Sequence, residues 1–162
     1  MFFYDDFVKK IDGNIKGTGV EKFGLEAKRG AMWLGTGIPF FVAGALEIYI
    51  SYNKNFSKYD LLVGIIFLFL SLRHLKLYFS YKIVLDFNEK KLKSKDIEFN
   101  FKDVRSCTLK EQVIGKRKKQ EAVLDIVTND GKQIIIPLMM SNKLRFANLI
   151  KSEIGNKFKI EK

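Results

Sequence analysis

The sequence predicts an α+β membrane protein, a two-helix transmembrane hairpin followed by a small antiparallel β-barrel or curled sheet that a C-terminal helix caps. Three observations lead to this fold class. Residues 31–79 are the most apolar part of the chain, residues 80–138 alternate apolar and polar positions, and residues 141–155 return to helical spacing. The length of 162 residues suits one small domain plus an anchor. We therefore divide the chain into an amphipathic N-terminal segment (1–30), two membrane helices (31–79) and a β domain (80–162).

The first predicted membrane helix covers residues 31–52, where Glu47 is the single ionisable side chain. About 20 helical residues cross the roughly 30 Å hydrocarbon core of a bilayer. Trp33 near one end, and Tyr49 and Tyr52 near the other, match the aromatic belts of membrane proteins. Because Glu47 lies close to the end of the span, we interpret it as an interfacial carboxylate.

The second predicted membrane helix covers residues 60–79 and is less uniform. Its uninterrupted apolar part, residues 61–72, ends at Arg73. Long basic side chains near a helix end can extend to the lipid headgroups, so the whole segment can still span. The alternative is a single anchor followed by a re-entrant or interfacial segment.

The basic residues around these segments predict their orientation. Three basic residues precede the first helix, namely Lys22, Lys28 and Arg29. Three lie at the end of the second helix, namely Arg73, Lys76 and Lys82, and the loop contains Lys54 and Lys58. The positive-inside rule then places both termini in the cytoplasm, as in a multi-pass protein of the inner membrane. Small residues would allow close helix approach within the hairpin or between copies, and these are Gly35, Gly37, Ala43, Gly44 and Gly64.

The N-terminal segment has an amphipathic start, with Phe3, Phe7 and Ile11 on one helical face. Two interpretations remain open, a helix that lies along the membrane interface or one that packs on the β domain. Residues 20–29 (VEKFGLEAKR) are interpreted as a helical lead-in to the first span.

Residues 80–162 predict the β domain. The expected strands are residues 81–87, 91–95, 97–101, 104–114, 122–128 and 132–138. Asp130-Gly131 between two β-branched runs predicts a hairpin turn. Ser141 is the expected N-cap of an amphipathic helix that ends near Gly155.

This order of elements resembles the bacterial membrane-anchored pleckstrin-homology-like domain proteins. The matching stretches are an N-E-K-K turn, a K-D-V segment, a D-G hairpin with an I-P strand end, and a final helix, within Phe87–Lys91, Phe101–Val104, Asp130–Leu138 and Asn142–Ile154. The resemblance covers Leu61 to Ile154. It implies a membrane-tethered interaction module, and the family has no fixed catalytic residues to transfer.

Motifs of catalytic chemistry are missing from the sequence. There is no H-E-x-x-H, no G-x-x-x-x-G-K-[ST] and no G-x-S-x-G. One cysteine excludes an internal disulfide framework and a Cys-based structural zinc site. Cys107 is expected to be a small core residue. We predict no catalytic residue, no metal, no cofactor and no enzyme activity.

A basic patch is the main candidate binding feature. Residues 80–162 carry 19 basic and 11 acidic side chains, and the patch consists of Lys116, Arg117, Lys118, Lys119, Lys91 and Lys93. Such a cluster attracts anionic lipid headgroups or acidic partners, although a solvated loop has the same composition. Nucleic acid is disfavoured, because the aromatic residues fall on expected core faces instead of interleaving with the basic ones.

Two functions are carried forward. The first is a non-enzymatic, membrane-anchored interaction module that binds anionic lipid or a protein partner at the cytoplasmic face. The alternative is an oligomerising membrane effector of anti-phage signalling, whose β-barrel senses a nucleotide-type ligand and whose helices form a homo-oligomer.

Overall fold

The structure, a computed structural model, describes residues 4–95, 97–114 and 119–161. Its helices are α1 (Tyr4–Lys9), α2 (Ala27–Asn53), α3 (Lys58–Ser80) and α4 (Lys143–Ile154). Its strands are β1 (Val20–Gly24), β2 (Lys82–Asp86), β3 (Lys91–Ser94), β4 (Ile97–Asn100), β5 (Val104–Ile114), β6 (Lys119–Thr128), β7 (Gln133–Pro137) and β8 (Phe158–Ile160). The fold is α+β, with two long apolar helices, two sheets and a C-terminal helix.

The chain forms two compact units. The helical unit is Leu25–Tyr81, and the α+β unit combines the residues before it with those after it. The helical unit is therefore an insertion between β1 and β2, which are antiparallel neighbours with Gly24 paired to Lys82. The sequence analysis expected the helices simply to precede the β domain.

The helical unit is a hairpin of α2 and α3. The Ser57 side chain caps α3 by accepting a hydrogen bond from the Asp60 main-chain N–H, at 3.5 Å. Asn55 and Phe56 take positive φ angles in the short turn between the helices. Both helices extend a few residues beyond the predicted 31–52 and 60–79.

Two four-stranded sheets form the α+β unit. The first has the order β1-β2-β3-β4, and all its pairs are antiparallel. The second has the order β7-β6-β5-β8, in which β8 runs parallel to β5. The inner faces supply the core, since Leu85, Leu92, Leu109 and Leu124 are fully buried.

The expected small antiparallel β-barrel or curled sheet is right only in part, because the described residues form no closed barrel and one of their strand pairs is parallel. After β4 the chain makes a 3₁₀ turn at Phe101–Asp103 and enters the second sheet, so β4 does not pair with β5. The parallel strand arises because α4 returns the chain, and β8 then lies beside Cys107–Leu109 of β5.

Helix α4 packs its apolar side on the core, and Phe146 is fully buried with its ring edge-to-face against Phe23, at a centroid distance of 5.1 Å. The helix begins at Lys143 after Asn142, so the expected N-cap at Ser141 is wrong. The Ser141 main-chain N–H instead donates to the Gly24 carbonyl, at 3.0 Å, which ties the approach to α4 to β1.

The N-terminal segment belongs to the α+β unit, where Phe7 and Ile11 are buried. Of the two interpretations left open by the sequence, this is packing on the β domain. Residues 20–24 form β1, so the helical lead-in predicted for residues 20–29 is wrong over its first half. A strand forms there because Phe23 gains a core position and β2 supplies the hydrogen bonds.

Candidate functional site

The outer surface of the helical hairpin carries many large apolar side chains. Only 11% of the most apolar 18-residue stretch of each helix is buried within the protein. Large side chains that stay exposed include Ile38, Phe41, Leu46, Ile65, Phe69 and Leu72. Both helices are long and apolar enough to cross a membrane. A large exposed apolar surface is typical of helices that face lipid or other protein instead of water.

Small residues build the contact between α2 and α3. The buried positions of α2 are Gly30, Gly37, Gly44 and Ser51, each seven residues from the next. This spacing is that of a coiled-coil seam, on one helix face. Of the small residues proposed from sequence, Gly37, Gly44 and Gly64 lie in this contact, whereas a Cβ at Gly35 would meet nothing within 4 Å.

The two helix backbones are in close contact at Gly44 and Gly64. A Cβ added at Gly44 would lie 2.9 Å from the Gly64 carbonyl oxygen. Two turns nearer the N-terminus of α2, the Gly37 carbonyl accepts a hydrogen bond from the buried Ser71 hydroxyl of α3, at 2.8 Å. Main-chain contact and an interhelical hydrogen bond are the interactions that hold helices together in lipid.

The polar residues of the helical unit have separate environments. His74 Nδ1 lies 2.7 Å from the Leu70 carbonyl oxygen, and its ring lies 5.4 Å from the Trp33 ring. Glu47 is half-buried on α2, and Arg73 is exposed on α3. The structure therefore gives Arg73 the exposure that a side chain extending to headgroups needs.

The predicted basic patch is described only in part. Lys116, Arg117 and Lys118 lie outside the described residues, and Lys119 is the first residue of β6. Lys91 and Lys93 are on β3 and both pair with Glu89, at 3.2 and 3.6 Å. Because these lysines already have carboxylate partners, they add less positive potential than the sequence suggested.

Lys93 has a second carboxylate partner, Glu98 on β4, at 3.6 Å. The two acids Glu98 and Glu89 together raise the pKa of Lys93. The pair across β3 and β4 is exposed, so it contributes little to stability.

A cleft of about 500 Å³ opens in the α+β unit between β4 and the β6–β7 hairpin. Its lining combines two apolar side chains with polar and charged ones of both signs, namely Lys91, Glu98, Phe99, Asn100, Asp103, Thr128, Asn129, Asp130, Lys132 and Ile134. The Asn129 main-chain N–H donates to the Asp103 carbonyl, at 2.8 Å, and joins the β6–β7 turn to the 3₁₀ turn before β5 beside the cleft. A concave site of this size, with apolar and polar side chains together, can receive a ligand or a short peptide.

The charges at the cleft mostly neutralise one another. Lys132 pairs with Asp130, at 2.8 Å, and the Thr128 hydroxyl donates to the same carboxylate. The hydrogen bond from Lys132, followed by that from Thr128, lowers the pKa of Asp130 to about 2. Among the described residues, the carboxylate of Asp103 accepts only from the Asn100 amide, at 2.9 Å.

The remaining polar cluster of the second sheet is structural. Lys110 Nζ lies 2.6 Å from Asp125, and the Gln133 amide donates to the same carboxylate. Burial opposes the ionised form of Asp125, but these partners keep its pKa lowered. Cys107 is fully buried, and this burial raises the pKa of its thiol to about 12, which leaves it unreactive at neutral pH. Within the described residues, no group of three or more His, Cys, Asp or Glu side chains could hold a metal ion.

The sequence analysis missed the cleft. Asp103 lies in the 3₁₀ turn before β5, whereas Asp130 and Lys132 lie in the β6–β7 turn, so the residues of the cleft are distant in the sequence. Comparison with family models, curated proteins and solved structures returned no match.

Proposed function

We propose that this protein is a non-enzymatic, membrane-anchored interaction module of the bacterial pleckstrin-homology-like type. The α2–α3 hairpin crosses the inner membrane twice and holds the α+β unit at the cytoplasmic face. There the unit binds anionic lipid or a protein partner.

The observation that carries this proposal is the position of the hairpin between two paired strands. Gly24 precedes α2, Lys82 follows α3, and the two residues are neighbours in one sheet. The flanks of the hairpin must therefore lie on the same side of any membrane. A single span with an interfacial second segment would separate β1 from β2, so both helices cross or neither does. Their exposed apolar surfaces favour crossing.

The flanking charges support a cytoplasmic location of the α+β unit. Six lysines and arginines flank the hairpin on the side of the unit, against Lys54 and Lys58 in the loop. Lys54 also pairs with Asp60, at 3.3 Å. The excess of basic residues on one side is the pattern of the positive-inside rule.

The lipid and partner components of the proposal have different support. The basic sequence Lys116–Lys119 favours anionic lipid. Lys91 and Lys93 on β3 add less positive potential to the patch, because both form ion pairs with carboxylates. The cleft favours a partner. No observation favours the nucleotide-sensing effector, because a cleft with three acids and two lysines suits phosphate groups poorly.

Alkaline carbonate extraction of membranes from cells that express the full chain tests the anchor. The proposal predicts that the protein stays in the pellet, because inserted helices resist extraction while peripheral proteins are released. Release into the supernatant would overturn it. A variant in which Lys116, Arg117, Lys118 and Lys119 become glutamine serves as the matched control, since loss of the basic patch alone should leave the protein in the pellet.

A further inference from the structure

The N-terminal segment of the chain bridges the two sheets of the α+β unit. The N-terminal segment starts at the second sheet, where the Tyr4 hydroxyl donates to the Leu109 and Glu161 carbonyls, at 2.9 and 2.8 Å. It ends as β1, the edge strand of the first sheet. Between these ends, the buried Asn148 side chain of α4 accepts hydrogen bonds from two main-chain N–H groups of the segment, at 2.9 Å each.

At the opposite edges no segment of the described chain fills the gap. The first sheet ends at β4 and the second at β7, and each of these strands pairs on one side only within the described residues. The cleft of about 500 Å³ lies between β4 and the β6–β7 hairpin. Main-chain groups on the unpaired sides of edge strands can accept another strand.

The dimensions and lining of the cleft suit an extended peptide. β4 has four residues and β7 has five, so each edge offers pairing over about 13–17 Å at the usual rise per residue. Phe99 and Ile134 supply apolar contacts for alternate side chains of an added strand. Main-chain pairing gives affinity and such contacts give specificity when a peptide extends a sheet.

The charges of the cleft favour a peptide with a basic side chain over one with an acidic side chain. Its two lysines already have carboxylate partners, Lys91 with Glu89 and Lys132 with Asp130. Asp103, by contrast, has no basic side chain within ion-pair distance among the described residues. A basic side chain in the cleft would therefore gain a partner, whereas an acidic one would face Asp103 and Glu98.

We propose that this cleft binds an extended segment of a partner protein as an added β-strand, with a basic side chain of the segment paired to Asp103. The proposal rests on the proposed function, because it identifies the partner site of the membrane-anchored module. It assigns partner recognition to the edges of β4 and β7, and it leaves the basic sequence Lys116–Lys119 for lipid.

The test uses the full chain, labelled with ¹⁵N-isoleucine, in nanodiscs of phosphatidylcholine. The probe is a six-residue peptide of alternating lysine and valine. One control peptide has the same sequence with alternate backbone nitrogens methylated, which blocks strand pairing but keeps the charge. A second control replaces lysine with glutamate. The amide signals of Ile97 on β4 and Ile134 on β7 report the site, and Ile83 in the interior of the first sheet is the internal reference.

The proposal predicts shifts at Ile97 and Ile134, none at Ile83, and no effect of either control peptide. Asp103→Asn should weaken binding about tenfold, as loss of one charged hydrogen bond implies. Glu153→Gln on α4, with the same charge change outside the cleft, should not weaken it.

The proposal is overturned if the lysine–valine peptide causes no shifts at Ile97 and Ile134, or if the methylated peptide causes the same shifts. It is also overturned if Glu153→Gln weakens binding as much as Asp103→Asn does. Glu98→Gln is the second cleft variant if Asp103→Asn does not fold. Failure of peptide binding with intact incorporation into nanodiscs would refute this inference alone, whereas failure of the chain to enter nanodiscs would refute the proposed anchor.

Discussion

Replacing Gly44 by alanine should separate α2 from α3. The added Cβ would lie 2.9 Å from both the Gly64 carbonyl oxygen and the Leu68 main-chain nitrogen. Neither atom can rotate away, since both belong to helix backbone. The helices must therefore move apart along the contact.

The size of the effect follows from a matched substitution on the same helix. Overpacking of a close contact costs about 1–3 kcal/mol. Alanine also favours helix over glycine by up to about 1 kcal/mol, which would mask part of this cost. Gly35→Ala has the same helix preference but no atom within 4 Å of the new Cβ. The difference between the two variants is then the overpacking alone, about 1–3 kcal/mol.

Titration with sodium dodecyl sulfate from mild-detergent micelles measures this difference. Trp33 is the only tryptophan and lies 5.4 Å from the His74 ring across the two helices, so its emission reports their separation. Gly44→Ala should shift the transition to lower sodium dodecyl sulfate, and Gly35→Ala should not. If Gly44→Ala and Gly35→Ala both separate at the same sodium dodecyl sulfate concentration, the close contact at Gly44 is refuted.

Three further predictions concern the α+β unit. In thermal unfolding, Asn148→Ala should lower the free energy of unfolding of the unit by about 1–3 kcal/mol, because two main-chain N–H groups lose their acceptor. In the same experiment, Glu153→Ala on the same helix should cost about 0.5 kcal/mol or less. Folding lowers the pKa of Asp130 from 3.8 to about 2, so the stability that its carboxylate contributes should be complete above pH 3.8 and disappear as the pH falls towards 2. Urea unfolding at a series of pH values should show that Asp130→Asn lacks this part of the acid dependence. Cys107 should resist maleimide at pH 8 until the protein is denatured; rapid labelling of folded protein would contradict its burial.

Sequence reasoning found the elements whose patterns are local. Strand β5 has the predicted bounds, Val104–Ile114, although a bulge between Val104 and Ser106 interrupts its alternation. The long apolar helices were recognised from length and composition. The turn at Asp130-Gly131 was recognised from turn chemistry, and Gly131 takes a positive φ of 81° there.

Elements that depend on distant partners were not found. β1 has five residues and one buried side chain, Phe23, and its partner β2 lies beyond an insertion of two helices. β8 has three residues and relies on β5 for its hydrogen bonds. The candidate cleft has the same origin, since it forms only when β4 and the β6–β7 hairpin come together. The seven-residue spacing from Gly30 to Ser51 was present in the sequence and would have identified the face of α2 that contacts α3.

The most direct test of the account is a topology measurement on cysteines introduced one at a time, in intact bacterial cells. Lys9, Lys54 and Lys102 are exposed and are replaced by cysteine one at a time, with the buried Cys107 retained as a silent background. The account predicts that a membrane-impermeant maleimide labels Lys54→Cys before permeabilisation, and labels Lys9→Cys and Lys102→Cys only after it. Labelling of Lys9→Cys and Lys102→Cys from opposite sides would contradict the insertion of a two-span hairpin between paired strands.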